Sequence, residues 1–314
     1  MKYRKLGNSN LEVSAIGQGT WAMGDDFFGE VDANQCIKAI HASIDAGVNF
    51  VDTAAGYGAD GASEKVVGDA IYDRRDKVIL STKCGILRMY GEYIKCLSPT
   101  TIRAEIELSL KRLRTDYIDL YHIHWPDYNF GIEGALDLLV ELKKEGKIRE
   151  IGVSNFNVDE LKVAIDRAGI ASVQPPFSML NRSSVENGII PFAIENNIGV
   201  TSYGSLGGGI LTGTMEKPKT GGKELRSGFY PFYEEPLWSK CQELLAVLRG
   251  VAEGKGISVA ELSIAWAIAQ PGITVALMGG VTPEESYQNA KAAEVDLSED
   301  DLNTINEAYE RIMK

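Results

Sequence analysis

Short apolar runs rich in valine and isoleucine alternate along this chain with longer stretches of helical periodicity. Residues 2–13 read as a hairpin turning at Gly7-Asn8-Ser9-Asn10. Ala15-Ile16-Gly17 then begins an inner strand. Ile37, Ile40 and Ile44 share one helical face, and Gly47 ends that helix. Residues 48–52 form the next strand, 63–71 a helix and 78–80 a strand. Ile102, Ile106, Leu110 and Leu113 make another helical face, entered through Ser98-Pro99. Strand 117–125, helix 136–142, strand 148–153, helix 158–165, strand 171–173, helix 185–195 and strand 198–201 follow. After an irregular stretch at 204–236 come helices 237–252 and 259–268, strand 273–278, helix 283–292 and an additional C-terminal helix at 298–313.

Strand–helix alternation implies a parallel sheet. About eight alternations without a composition break predict an α/β fold: a (β/α)8 barrel of the TIM type, with an N-terminal β-hairpin and an extra C-terminal helix, as a single domain over residues 1–314. The competing open sheet would carry G-x-G-x-x-G after its first strand, and Gly17-Gln18-Gly19 lacks the third glycine. In a barrel the working groups stand at the C-terminal ends of the strands. Those ends supply Asp52 with Tyr57 just beyond it, then Lys83, His124, Ser154-Asn155, Gln174 and Tyr203.

Composition narrows the chemistry. The chain is 44% hydrophobic and 24% charged, an ordinary globular balance, with a net charge of −12. That sign disfavours nucleic-acid backbones and anionic membrane surfaces as partners. Four cysteines form no C-x-x-C pair, and three histidines leave no basis for a metal site. No signal-peptide core and no spanning apolar stretch is visible, so a cytoplasmic protein is expected. What remains is an acid, a phenol, an amine and an imidazole converging on one mouth. A lysine beside a tyrosine would lower the phenol from its usual value near ~10. A carboxylate would hold the lysine, and a histidine would orient a reacting oxygen. This set suits proton transfer coupled to hydride transfer at a carbonyl.

These residues resemble the aldo-keto reductase superfamily over essentially the whole chain. Asp52-Thr53-Ala54-Ala55-Gly56-Tyr57-Gly58 resembles its D-T-A-x-x-Y-G signature, and Ser63-Glu64 with Gly68 its S-E-x-x-x-G. Ser81-Thr82-Lys83 resembles the lysine motif, and Tyr121-His122-Ile123-His124-Trp125-Pro126-Asp127 the histidine motif. Gly152-Val153-Ser154-Asn155-Phe156 is similar to a further family segment.

The resemblance implies a catalytic tetrad of Asp52, Tyr57, Lys83 and His124, with Tyr57 the acid/base. It implies a nicotinamide cofactor. Ser154, Asn155 and Gln174 would hold the carboxamide and Tyr203 would stack on the ring, with Gly19, Thr20, Trp21 and Asp52 beside them. Gly204, Ser205, Leu206, Gly208 and Leu211 would meet the pyrophosphate. Gly279, Gly280, Val281, Thr282, Glu285, Gln288 and Asn289 would surround the adenosine. Trp21, Tyr57, Tyr90, His124 and Trp125 would line the substrate.

In the segment Met278-Gly279-Gly280-Val281-Thr282-Pro283-Glu284-Glu285, the arginine or lysine of many members is missing and Glu285 replaces another. A carboxylate there disfavours a 2′-phosphate, so NAD(H) is expected over NADP(H). A small-molecule substrate is expected, a sugar, polyol or cyclitol, with oligomeric state open. The alternatives are a redox-neutral sugar epimerase with tightly bound NAD and a non-enzymatic regulatory protein resembling potassium-channel β subunits. His122 reads as a core or second-layer histidine, and Cys84 as a packing residue facing away from Lys83. Loops 86–98, 127–132 and 211–237 set the substrate, with Asp127 among the polar groups expected near the mouth.

Overall fold

The computed structural model describes residues 1–24, 29, 31–89, 92–217 and 226–314. The chain opens with strands β1 (Tyr3–Lys5), β2 (Glu12–Ser14) and β3 (Ile16–Gly19), then α1 (Ala33–Asp45), β4 (Phe50–Asp52), α2 (Ala62–Ile71) and β5 (Ile79–Cys84). A hairpin of β6 (Ile86–Met89) and β7 (Glu92–Lys95) precedes α3 (Pro99–Leu113), β8 (Ile118–Ile123), α4 (Glu133–Lys144), β9 (Ile148–Ser154), α5 (Val158–Ala168) and β10 (Ser172–Gln174). Then come α6 (Ser183–Glu186), α7 (Ile189–Glu195), β11 (Gly199–Ser202), α8 (Arg226–Phe229), α9 (Leu237–Lys255), α10 (Val259–Ala269), β12 (Ile273–Gly279), α11 (Pro283–Lys291) and α12 (Glu299–Met313).

Eight strands close into a parallel barrel in the order β3-β4-β5-β8-β9-β10-β11-β12, as the alternation predicts. The register sets Gly19 beside Asp52, Asp52 beside Ser81 and Lys83 beside His122, so the strand ends meet at one mouth. The other end is stoppered. β1 and β2 pair antiparallel, and their Leu6, Leu11 and Val13 pack on Phe50, Leu120, Val275 and Leu277. A larger apolar layer lies between the strands and the helices.

Helix starts follow local chemistry. Asn157, Ser258, Thr282 and Ser298 each form a reciprocal capping box with the residue three positions on. Two expectations change. The helix at 185–195 is two short helices, α6 and α7, because Gly188 sits at φ 84°, a left-handed conformation that interrupts the first and starts the second. The loop at 86–98 contains the β6–β7 hairpin, with Ile86 opposite Lys95 and Arg88 opposite Tyr93. No helix among the described residues is long and apolar enough to cross a membrane.

Candidate active site

β5 exposes alternate residues to the barrel interior, and Ser81 and Lys83 are the inward pair. The Lys83 ammonium is fully enclosed and donates to Asp52 Oδ1 at 2.6 Å and to the Thr53 carbonyl at 2.8 Å. The second Asp52 oxygen accepts from Ser81 Oγ at 2.8 Å and from Gln174 Nε2 at 3.0 Å. Burial pulls the Lys83 pKa below the ordinary lysine value, and the Asp52 carboxylate pulls it back up. A buried ion pair persists when its remaining hydrogen-bonding capacity is met, as it is here.

Tyr57 follows Gly56 in the turn after β4. Its ring centroid lies 4.9 Å from Lys83 Nζ and 5.6 Å from that of His124, which meets it edge-on. Trp21 stacks on its other side at 6.0 Å. Asp52, Tyr57, Lys83 and His124 are thus one cluster, as the sequence implied.

The net shift at Tyr57 is upward rather than downward. Lys83 was to lower the Tyr57 pKa; desolvation first, then the charges of Asp52 and Tyr93, hold it well above the ordinary tyrosine value, so burial outweighs the nearby lysine and the phenol stays protonated. His124 is also held neutral. Burial, then Lys83 and His122, push its pKa well below the usual histidine value. Its Nδ1 is enclosed with no hydrogen-bond partner among the described residues. His122 lies beneath, 3.3 Å from Ser81 Oγ, with its pKa lowered to about 3 by burial. That is the core position read from sequence.

The cluster opens into a cavity of about 670 Å³, within the range of small-molecule and cofactor sites. Lys83 does not line it; Asp52, Tyr57 and His124 do. Of the residues assigned to the cofactor, Gly19, Thr20, Trp21, Ser154, Asn155, Gln174, Tyr203, Gly204, Ser205, Leu206, Gly208, Gly279, Gly280, Val281 and Glu285 also line it.

Asn155 holds φ 61°, an unusual conformation for a residue other than glycine. Its amide donates to the His124 carbonyl and to Ser154 Oγ, both at 3.0 Å, and its oxygen accepts from the Tyr203 hydroxyl at 2.8 Å. Ser154, Asn155, Gln174 and Tyr203 therefore present a fixed row of donors and acceptors beside the tetrad. The donor set and cavity size fit a nicotinamide dinucleotide.

Four assigned residues are not part of the cavity lining. Leu211 is buried in the core, its N–H given to the Leu206 carbonyl. Thr282 caps α11, and Asn289 donates to the Gly279 carbonyl behind the lining. Gln288 is exposed on α11. Among the substrate assignments Trp21 and Trp125 line the cavity, and Tyr90 lies outside the described residues. Asp127 is buried and serves its own turn, accepting from the Leu97 and Asn129 N–H groups.

Ile86, Lys95 and Arg226 were not singled out from the sequence; with Tyr93 they line the cavity from the loops 86–98 and 211–237 expected to set the substrate. Phe229 and Tyr230 from the long 204–236 stretch do too, and Phe229 meets the Trp21 ring at 5.1 Å.

Known proteins show the same whole-chain pattern. The Aldo/keto reductase family model matches residues 15–310. The chain is 37% identical to aldo-keto reductase YhdN of Bacillus subtilis, covering 99% of this chain and 94% of that one. It is 32% identical to the NADH-specific methylglyoxal reductase of Escherichia coli, covering 99% of both. The solved glycerol dehydrogenase AKR11B4 of Gluconobacter oxydans superposes with a TM-score of 0.90 at 31% identity, covering 99% of this chain and 95% of that one. With the barrel and the gathered tetrad, these matches place the chain in the aldo/keto reductase family, as an NAD(P)-dependent oxidoreductase acting between a carbonyl and an alcohol.

Proposed function

We propose that the protein interconverts a small carbohydrate or polyol with its carbonyl form, using NAD(H) in preference to NADP(H). The bound nicotinamide supplies or accepts the hydride. Tyr57 gives its proton to the carbonyl oxygen during reduction and takes it back during oxidation. Its raised pKa keeps that proton in place at neutral pH. Lys83, fixed 4.9 Å from the ring centroid, stabilises the phenolate left after donation. Neutral His124 carries one ring N–H, with which it orients the same oxygen. The cytoplasm suits the four free thiols, three of which are buried.

The observation that carries the cofactor preference is the Glu285 carboxylate. Glu285 Oε2 accepts from the Val281 N–H at 2.9 Å and the Thr282 N–H at 3.2 Å, which pins the carboxylate at the start of α11. It lines the cavity beside Gly279 and Gly280. A 2′-phosphate would meet that negative charge at close range, whereas a free hydroxyl can donate to it. The NADH-specific name of the Escherichia coli relative supports this reading. The aromatic walls Trp21, Trp125 and Tyr93, and the polyol and short carbonyl in two relatives' names, support the substrate class.

Dissociation constants for NADH and NADPH, read from fluorescence quenching, test the preference. NADH is expected to bind more tightly, and tighter NADPH overturns it. A Cβ at Gly279 would meet nothing within 4 Å, so Gly279→Arg adds a cation with no clash at its first side-chain atom. That variant should tighten NADPH by about tenfold, with a smaller change for NADH.

A further inference from the structure

The β6–β7 hairpin stands over the mouth on its own hydrogen bonds, outside the barrel sheet. Tyr93 and Lys95 are alternate residues of β7, so they share a face. Both line the cavity with Ile86, the residue opposite Lys95 in the hairpin. The Lys95 ammonium lies 4.6 Å above the Trp125 ring, and Trp125 follows His124 directly in the chain. Lys95 thus stands on the Trp125 wall of the cavity that Tyr57 and His124 also line.

Its position sets it apart: among the described residues it is the one lysine that lines the cavity. Lys65, Lys143, Lys162 and Lys255 each hold a carboxylate at 2.6–2.8 Å. Among the described residues Lys95 holds none, and its ammonium meets the Trp125 face. A cation–π contact fixes an ammonium in place without neutralising it. The other charged residues of the cavity do not answer it. Asp52 is committed to Lys83, Ser81 and Gln174. Glu285 stands on α11, which follows β12, three strands round the barrel from β5. Arg226 carries the same sign as Lys95.

We propose that Lys95 is a specificity-determining residue that receives an anionic group on the substrate. The substrate is then a small carbonyl compound, or its alcohol, with a carboxylate or a phosphate monoester at the end remote from the reacting carbon. This rests on the reading of Tyr57 and His124 as the seat of the reacting oxygen. The contact is remote from the chemistry and unchanged by it, so it acts through KM more than kcat.

Matched substrates test it. Butanal against 4-oxobutanoate isolates a carboxylate, and glyceraldehyde against glyceraldehyde 3-phosphate isolates a phosphate. Wild-type kcat/KM should favour the anionic member of at least one pair, and the favoured pair identifies the anion. Lys95→Met keeps the stem over Trp125 and should lower the anionic-to-neutral ratio by about tenfold or more, mainly through KM, while Lys95→Arg retains most of it. No anionic preference in either pair, or a ratio unmoved by Lys95→Met, overturns the proposal.

A second measurement separates it from the assigned reaction. Succinate and glycerol 3-phosphate are titrated against tryptophan fluorescence without turnover. Saturable binding by wild type that Lys95→Met loses supports the anion site even if neither aldehyde pair is reduced, in which case the reductase reading alone falls. Binding of neither anion, or binding that Lys95→Met keeps, overturns the site.

Discussion

Ser81 and Lys83 point from β5 into the barrel; Thr82 and Cys84 point out of it, toward α2 and α3. Both faces bury ionisable groups. Inside, Lys83 and Asp52 are paired, with Ser81 and Gln174 completing the carboxylate's bonds. Outside, Glu64 accepts from Thr82 Oγ1 and from Arg112 Nε, both at 2.7 Å, and Glu105 accepts from the Gly85 N–H at 3.0 Å. Burial raises the Glu105 carboxyl to about 7 and pushes the Cys84 thiol well up. Perturbed groups are thus present on both sides of one strand, and perturbation alone does not mark the site. The inner cluster reaches a cavity through Asp52 and Tyr57, while the outer one is sealed between strand and helices. On the proposed reading the inner face serves chemistry and the outer face holds the barrel to its helices.

The sharpest way to break that division is Tyr57→Phe. It removes the proton and keeps the ring, so kcat/KM should fall by about 10²–10⁴-fold with an unchanged melting temperature. A loss of activity matched by a loss of stability would put the inner cluster on the structural side. Glu64→Ala is the mirror test. It strands the Arg112 guanidinium and should remove about 3–5 kcal/mol of stability in urea unfolding, while the folded fraction keeps kcat/KM within about threefold. A large loss of kcat in the folded protein would join the two faces into one machine.

The smallest effect expected is in pH dependence. With its carboxyl raised from 4.5 to about 7, Glu105 keeps a proton in the folded chain that the unfolded chain has released. Its contribution is therefore complete below about pH 4.5 and is lost as pH rises through 7, on the order of 3 kcal/mol. Glu105→Gln should flatten that slope between pH 5 and pH 8, read from urea midpoints. An unaltered slope would assign the pH dependence elsewhere.

The barrel and its tetrad were legible because both depend on rules of position. Strand–helix alternation dictates the parallel closure, and strand ends dictate which polar residues meet. The S-E-x-x-x-G motif was legible as a pattern but not in its purpose. Ser63 donates to the Thr20 carbonyl at 2.9 Å, Glu64 anchors the outer cluster, and a Cβ at Gly68 would fall 2.2 Å from the Arg112 carbonyl oxygen, so that glycine lets α2 meet α3. Lys95 was missed because a lysine on a polar loop has no sequence mark. The available hint was strand-forming residues on both sides of Gly91, the pattern of a hairpin. The Tyr57 pKa was misjudged because sequence lists charges without burial. Desolvation of the enclosed phenol outweighs the nearby lysine, and only the folded structure reveals that enclosure.

The β6–β7 hairpin exchanges its ladder hydrogen bonds only within itself, and the Cys96 N–H bonded to the Gly85 carbonyl closes its base. It is a cassette set between β5 and α3. On the proposed reading, these ten or so residues can be replaced, and the anion contact at Lys95 with them, while the strand before them and the helix after them keep their places.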